Sequence, residues 1–591
     1  MSNIKRALLG ISYGFHDSAA ALVGHDGRIH FASSEERFTR TKGDRSWPQN
    51  AINNIIEYAE HNSIQVSGLC YYEDPLKRLS WSIRNSVASS STLKEKLKRI
   101  LKFSQNYIDT TNQLLSFIES LSLSPSQLYI SDHHISHAAS AFAFSPKQSG
   151  LVLILDAFGQ DKSGFIGSFE NNGTLSILKS FSVCQSVGLF YSAITSICGF
   201  KILSGEYKLM GLAPYGKPHF YEKLKEIFGQ PTNTDFSTSI LDPFDTNLVS
   251  KSLLDELGLP LRVPESNIEQ QYLDLAASAQ KYLEKLVVNI LKAYINRLPS
   301  SSEKNISMGG GVALNCKLTS VLETEFTDYS FSICPAAGDA GSAVGACYAY
   351  LIEYHQASLV TNKTAYLGLN NSALCTRKFL NTIGFKPSST SPCSPNDFSD
   401  LLIEGKVGAI YRGSAEFGPR ALGNRSILAN PSDPHAISFI NTHIKSREDF
   451  RPLAPITTID IQEKLFQETT SNQLLQYMLT LIKIPNDVSN LIPSAVHIDG
   501  TARLQVITRE QNTFLYEVIT DFYSRTGIPA LINTSLNQRG EPIVNTLQDA
   551  LECFCSTHLD FICADSFIIK RSDQPKYTIS AYTRNSSFPL D

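Results

Sequence analysis

No apolar run in this sequence approaches the roughly 20 residues that a membrane-spanning helix needs, which argues against an integral membrane protein. The N-terminal apolar stretch is broken by His16 and Asp17, where a secretion signal would need continuity, so a cytoplasmic location is expected. No CxxC pair occurs. The eleven cysteines fall mostly as singles in apolar segments, such as Cys198 and Cys347, and the close pair Cys553 and Cys555 is CxC. Buried thiols in a reducing compartment are therefore expected in place of a disulfide framework. An excess of positive charge is missing too: 52 Lys and Arg against 56 Asp and Glu leave a formal charge of −4. A long nucleic-acid partner has no general electrostatic support, and none is expected; any bound phosphate must be met locally. Walker and GxGxxG fingerprints are absent, which removes P-loop and Rossmann chemistry.

With 42% hydrophobic and 18% charged residues and no long low-complexity tract, the 591 residues have the composition of a folded globular chain. That length exceeds what one core usually organises, so two large domains are expected. The patterning predicts strands over 7–12, 18–23 and 28–33, with a His25-Asp26-Gly27 turn. The same order returns at 151–156, 164–169 and 174–181 around an Asn171-Asn172-Gly173 turn, with an acidic residue near the first turn of each copy. Two such meanders, each followed by helical segments, predict a duplicated α/β fold whose halves face each other across a cleft. A helix is predicted over 268–298, opened by a Ser266-x-x-Glu269 capping box and ended before Pro299. Its core stripe is Tyr272, Leu275, Ala279, Leu283, Leu286, Ile290 and Tyr294. Past residue 354 Ser, Thr and Asn replace periodic apolar residues, which places a linker over 356–365 between domains at 1–355 and 366–591.

His133 and His137 are spaced i, i+4, which on a helix puts both imidazoles on one face within reach of one metal ion. Alone, HxxxH pairs are more often structural than metal-binding. Asp156 ends an apolar strand and Asp339 lies in Pro335-Ala-Ala-Gly-Asp-Ala-Gly341, so both carboxylates could complete a site from separate elements. Two imidazoles and two carboxylates suit iron, manganese or zinc. Glycine-bearing segments at 205–216, which includes Lys208, and at 308–315, with Gly309, Gly310 and Asn315, could bring backbone amides to a phosphate or a base. Cations concentrate in the last third: Arg412, Arg420 and Arg425, then Lys445, Arg447 and Arg451, then Arg503. They fit several phosphates held at once, although a solvated salt-bridged face is the ordinary alternative. Asn533-Thr-Ser-Leu-Asn537 after an apolar strand would suit a polar pocket.

Taken together these residues resemble the NodU/CmcH family of O-carbamoyltransferases over nearly the whole chain. The resemblance is carried by His16-Asp-Ser-Ala-Ala-Ala-Leu22, Glu35-Glu-Arg-Phe-Thr-Arg40, His133-His-Ile-Ser-His-Ala-Ala-Ser-Ala-Phe142 and the glycine segments at 204–216 and 309–315. In the second half it is carried by Glu416-Phe-Gly-Pro-Arg-Ala-Leu-Gly-Asn-Arg-Ser426 and the segments 447–455, 497–503 and 533–542. It implies a duplicated actin-like, sugar-kinase-like (ASKHA) N-terminal domain and a YrdC-like α/β C-terminal domain. It further implies that carbamoyl phosphate and Mg-ATP form carbamoyl adenylate in the C-terminal domain, and that the N-terminal domain passes the carbamoyl group to a hydroxyl of a small-molecule acceptor, in secondary metabolism.

By that resemblance His133, His137, Asp156 and Asp339 would hold a divalent metal, Fe2+ foremost, and Lys208, Gly309, Gly310 and Asn315 would line the nucleotide. Arg420, Lys445, Arg451, Arg503, Asn533, Ser535 and Asn537 would surround carbamoyl phosphate and ATP, while His16 or Asp17 would take the acceptor proton. A homodimer is a further expectation. The chain departs from the family's Gly-x-Gly-Glu after Asp156, having Ala157-Phe158-Gly159-Gln160, and Cys316-Lys-Leu-Thr-Ser320 replaces a polar continuation after Asn315; an altered acceptor is expected. Three other readings compete: a kinase or ATPase on the same actin-like fold, a non-catalytic nucleotide-responsive module, and a tRNA threonylcarbamoyl-type transferase. The first leaves the C-terminal cations without a task, the second would make metal and carbamoyl phosphate irrelevant, and the acidic balance opposes the third.

Overall fold

The computed structural model describes residues 5–88, 92–170, 174–243, 248–297, 302–354, 359–370, 373–389, 391–448, 450–466, 473–584 and 588. Its first two sheets are the two predicted meanders, extended by parallel strands. One sheet comprises β1 (Lys5–Ser12), β2 (Ala19–Gly24), β3 (Ile29–Ser34), β4 (Ile64–Tyr71) and β5 (Leu128–Ile130), in the order β3-β2-β1-β4-β5. The other comprises β6 (Gly150–Gly159), β7 (Lys162–Phe169), β8 (Leu175–Ser182), β9 (Asn305–Gly309) and β10 (Ser330–Ile333), in the order β10-β9-β6-β7-β8. In both, three antiparallel strands come first and the leading strand then pairs parallel with the fourth, which pairs parallel with the fifth. This repeated topology is the duplicated actin-like fold expected from the sequence. The turn at 171–173 lies outside the described residues.

Strands β1, β2 and β6 are buried almost end to end because helices cover them, which is why they read as apolar runs and not as alternating patterns. The helix Ser342–Tyr354 lies on the first sheet, the helix His133–Ala143 lies on the second, and the two helices pack against each other. Small residues permit that crossing. A Cβ at Gly345 would sit 1.8 Å from the Ser136 carbonyl oxygen, and one at Gly10 of β1 would sit 1.9 Å from the Ala343 carbonyl oxygen. No side chain can be placed at either point without moving backbone.

The predicted long helix spans Gln270–Tyr294 and continues as a 3-10 turn over Ile295–Arg297. Its seven stripe residues are all buried. The predicted capping box does not form: the N-cap is Glu269 without a side-chain cap bond, and Ser266 Oγ instead donates to the Val263 carbonyl at 2.7 Å. Ser266 closes its own turn, with its amide also bonded to Val263, and so is unavailable to the helix.

A third sheet fills the C-terminal part as an α/β unit. Its strands are β11 (Gly408–Tyr411), β12 (Arg425–Ala429), β13 (Ala454–Thr458), β16 (Gln505–Ile507), β17 (Leu531–Ser535), β18 (Phe561–Ala564) and β19 (Phe567–Lys570), in the order β16-β13-β17-β12-β11-β18-β19. A short ladder joins β14 (Ile482–Lys483) to β15 (Thr501–Ala502). Residues 359–362 are tied to the first sheet, with the Val360 amide donating to Asp26 and Asn362 Nδ2 to Gly27. A few residues later the Gly368 amide donates to Ala415, so the chain has changed partners. Arg40 fastens the two parts, donating to Glu541 Oε1 at 2.6 Å and to the Ile543 carbonyl at 2.8 Å. No helix among the described residues is long and apolar enough to cross a membrane. Of the cysteines, Cys184 and Cys375 are exposed, against the expectation of burial, while eight others are buried.

The close helix crossing yields a prediction. In an ordinary helix interior Gly→Ala stabilises by about 1 kcal/mol. At Gly345 the added methyl meets backbone, so Gly345→Ala is expected to destabilise by about 1–3 kcal/mol in urea unfolding. A gain in stability would contradict the crossing.

Candidate active site

His133 and His137 occupy successive turns at the start of the helix His133–Ala143, whose N-cap Asp132 accepts from the His134 amide. Asp156 sits in β6 where the pairing with β7 shifts register, between Leu155 and Gly159. Asp339 opens the 3-10 turn that leads into the helix Ser342–Tyr354. The close packing of these two helices therefore brings together ligands 206 residues apart in sequence (from His133 to Asp339). All four side chains are buried, and their ligand atoms lie within 4.8 Å of one another. The two imidazole Nε2 atoms face each other at 3.2 Å; Asp156 Oδ2 is 3.3 Å from His133 Nε2, and Asp339 Oδ1 is 3.3 Å from His137 Nε2.

Neighbouring groups hold this cluster in place. The Gly311 amide donates to Asp156 Oδ1 at 3.1 Å, and Ser342 Oγ lies 3.2 Å from His137 Nδ1. Glu73 Oε2 lies 3.7 Å from His133 Nδ1, and Glu73 is paired with Arg78 at 2.6 Å. Gly159 must lack a side chain, because a Cβ there would fall 2.0 Å from His133 Cδ2. Burial pushes the His137 pKa down, but Asp156 and Asp339 outweigh it and raise it to about 9. Asp156, despite its own burial, is held well below the usual carboxylate range by His133 and His137.

The donor set fits a divalent cation. Both carboxylate oxygens of Asp339 are buried without a well-aimed hydrogen bond from the described residues, and the paired Nε2 atoms can share only one proton between them. A single ion among two imidazole nitrogens and two carboxylates would satisfy all of these atoms, and iron, manganese and zinc all accept such ligands.

His16 and Asp17 occupy the turn between β1 and β2. His16 Nδ1 is 2.9 Å from Asp17 Oδ2 and its Nε2 is 3.8 Å from Asp339 Oδ2, so it stands beside the cluster. Burial opposes protonation of His16, but Asp339 and then Asp17 prevail and raise its pKa to about 10. Gln160, where the family pattern has Glu, is buried with a left-handed backbone. In the orientation that satisfies its neighbours its amide donates to Asp132 Oδ2 at 2.9 Å and accepts from the His133 amide at 3.2 Å. A carboxylate there would face that of Asp132; the amide removes the repulsion.

Gly309 and Gly310 lie directly behind the cluster, Gly310 with φ +85° and its amide bonded to Ala337. Asn315 is committed elsewhere: its side chain caps the helix Cys316–Glu325 through the Leu318 amide and exchanges two hydrogen bonds with Gln280. Lys208 is buried at the junction with the C-terminal unit, 3.8 Å from Glu448 Oε1.

The second cluster lies at that junction. Lys445 and Arg451 are buried, and Arg420, Arg447 and Arg503 are half-buried. Burial, followed by the repulsion of Arg503, lowers the Arg420 pKa to about 9; burial and then Arg451 do the same to Arg447. Burial, followed by Arg447, depresses Lys445 well below the usual amine range. Lys445 Nζ donates to Asn537 Oδ1 at 2.6 Å and to Ser535 Oγ at 3.1 Å, so three of the predicted residues form one network. Asn533 Nδ2 instead donates to Gln505 Oε1 at 2.6 Å. The Nε atoms of Arg420, Arg451 and Arg503 are buried with no acceptor among the described residues. From the N-terminal part the helix Glu206–Leu212 delivers Tyr207, whose hydroxyl accepts from Arg451 Nη1 at 3.0 Å. A cleft lined by Met210, Tyr215, Phe450, His497 and Arg503 opens beside these cations.

Two arginines grouped with the cations by sequence belong elsewhere. Arg425 is fully buried over the Tyr411 ring and donates to the carbonyls of Gly413, Asn424 and Leu369, and Arg412 donates to the Asp565 carbonyl. Both hold turns together. Conversely, sequence reasoning missed Glu73, Ser342 and Tyr207. Glu73 carried a usable signal, since like Asp156 it is a carboxylate at the end of a buried apolar run; Tyr207 carried none beyond its place next to Lys208.

Comparison with known proteins returns two family models. The family model described as Carbamoyltransferase N-terminus matches residues 7–348, and that described as Carbamoyltransferase C-terminus matches residues 399–571. An uncharacterized protein of Synechocystis sp. is 34% identical, over 96% of this chain and 97% of its own length. Nodulation protein NolNO of Sinorhizobium fredii is 31% identical, over 94% of this chain and 79% of its own. Among solved structures, component A of the Acidaminococcus fermentans (R)-2-hydroxyglutaryl-CoA dehydratase covers 58% of this chain at 16% identity, using 97% of its own length, with a TM-score of 0.31. That likeness is too slight to bear on function.

The groups behind the metal ligands can be tested separately from the ligands. His137→Ala is expected to abolish stoichiometric binding of Fe2+, Mn2+ or Zn2+ in calorimetric titration, and Glu73→Gln to weaken it about 10–100-fold with the fold intact. Unchanged affinity in both variants would remove the metal assignment.

Proposed function

The chain belongs to the carbamoyltransferase family, and from that premise we propose that it makes carbamoyl adenylate from ATP and carbamoyl phosphate at the domain-junction cations and transfers the carbamoyl group to an acceptor hydroxyl beside the His133 cluster. The observation that carries this reading is that Arg420, Arg451 and Arg503 converge at the junction, each with a buried Nε that has no acceptor among the described residues. A buried guanidinium donor without an acceptor is costly, and an anion between these groups would remove that cost. Glu448 offsets part of this charge, and two phosphate-bearing substrates would supply the rest.

In the first step Arg420, Arg451 and Arg503 would bind and orient the phosphates, while Lys445, fixed by Ser535 and Asn537, would sit at their edge as a donor. Water attacks the phosphorus of carbamoyl phosphate and breaks its P–O bond, releasing phosphate and carbamate; a carbamate oxygen then attacks the α-phosphorus of ATP, and pyrophosphate leaves. Enclosure between Tyr207 and the C-terminal unit would keep water from an intermediate that hydrolyses readily. In the second step the acceptor hydroxyl attacks the carbamoyl carbon, AMP leaves, and Asp17, or His16 once a cation beside Asp339 lowers its pKa, takes the hydroxyl proton. When bound, a metal at His133, His137, Asp156 and Asp339 would supply Lewis-acid polarisation and offset the two carboxylates. Gly309 and Gly310 would let the adenylate approach that cluster closely, and Lys208 would meet its phosphate. A sugar or other secondary-metabolite hydroxyl is the acceptor class this reading favours, in keeping with relatives named as nodulation proteins.

The test is pyrophosphate release by the metal-loaded protein. Release is expected to require both ATP and carbamoyl phosphate, and to fall at least about 100-fold in Arg451→Ala, which leaves a charged partner unmatched. Formation of ADP in place of AMP and pyrophosphate would refute the adenylate route and favour a kinase.

A further inference from the structure

The helix Leu93–Ser120 leaves one of its faces uncovered. Its inner face is anchored: it packs on the helix Pro75–Ala88, Leu114 and Ile118 enter the core, and Phe117 meets Trp47 edge-on at 5.4 Å between centroids. Yet Leu93, Leu97, Leu101, Ile108 and Leu115 are 38–73% exposed. At about 100° per residue these five fall within about 80° of the helix circumference, an apolar stripe over residues 93–115 in which only Ser104 and Thr111 are polar. Between residues 93 and 113 no residue of the helix is buried.

The charge beside this stripe is ordered. Lys94, Lys98 and Lys102 are exposed along one flank, and Asp109 and Glu119 continue the same flank. The helix has no Lys or Arg after Lys102. Bases near the N-terminus and acids near the C-terminus oppose the helix macrodipole, so this order does not serve the helix itself. It is self-complementary. If two copies are laid antiparallel about a two-fold axis near Asn106, Leu97 faces the other copy's Leu115, Lys102 lies beside its Asp109, and Lys94 lies beside its Glu119. A two-fold pair brings the same flank of each copy together, as an isologous interface requires.

We propose that this face is a self-association surface on which two copies of the chain pair antiparallel, with the apolar stripe at the centre and the Lys-to-acid flank fixing direction. An anionic membrane would be attracted by the lysines and repelled by Asp109 and Glu119; a second copy satisfies both.

Sedimentation of the full chain tests this. The native protein is expected to be dimeric, and Leu101→Glu with Ile108→Glu to be monomeric with an unchanged circular dichroism spectrum, since both positions are exposed. Lys94→Glu with Lys102→Glu is expected to weaken the dimer about tenfold or more, and adding Asp109→Lys with Glu119→Lys to restore it. Direction is read from cross-links: Leu97→Cys with Leu115→Cys should link two copies, whereas Leu97→Cys alone should not, its two copies lying about 27 Å apart along the axis. A monomeric native chain, a dimer that survives the glutamates, or linking through Leu97→Cys alone would each overturn the proposal. So would a monomer that co-sediments with phosphatidylserine vesicles through the same leucines.

Discussion

The arrangement depends on one contact: the helices His133–Ala143 and Ser342–Tyr354 touch backbone to backbone at Ser136 and Gly345. Because packed interiors accommodate even one extra methyl poorly, that approach fixes the separation of two five-stranded sheets. It also fixes the distance between His137, on one helix, and Asp339, at the entrance to the other. The run of Ala, Ser and Gly along both helices is thus the condition for the buried ligand cluster, and the chemistry inherits its precision from sterics.

Charge organises the second site in a different way. At the His133 cluster opposite charges face one another, imidazoles against carboxylates. The domain junction gathers like charges, and Glu448 offsets only part of them through Arg451 and Arg539. On the proposed reading, bound phosphates would relieve their mutual repulsion. Tyr207 and Lys208 link the two regions physically, since both stand on an N-terminal helix and reach into the C-terminal cations.

Much of the fold was legible in the sequence because both first strands are long apolar runs broken by turn residues, and because the second meander repeats the first in order and spacing. The i, i+4 histidines pointed to a metal from their spacing, but the cluster's completeness did not follow from sequence: it depends on a helix contact between residues far apart along the chain. Local pattern misled where a side chain had a nearer partner. Ser266 matched a capping box yet closes its own turn, and Arg425 matched a phosphate cluster yet is wrapped by carbonyls. Tyr207 was invisible because its partner Arg451 comes from a distant element.

The two halves of the N-terminal part correspond element by element, and in that correspondence the helix His133–Ala143 is the counterpart of Ser342–Tyr354. Each follows the fifth strand of its sheet, and each is preceded by an aspartate, Asp132 in one half and Asp339 in the other. The contact of Ser136 with Gly345 therefore lies close to a pseudo-dyad, where a motif meets its own copy. A strictly symmetric ancestor would have presented identical groups from both sides of that axis. Here one copy carries the imidazoles and uses its aspartate as a helix cap, while the other offers no imidazole and turns its aspartate into the cluster. The ligand set therefore depends on the two copies being different, and a symmetric pair of either half could not reproduce it.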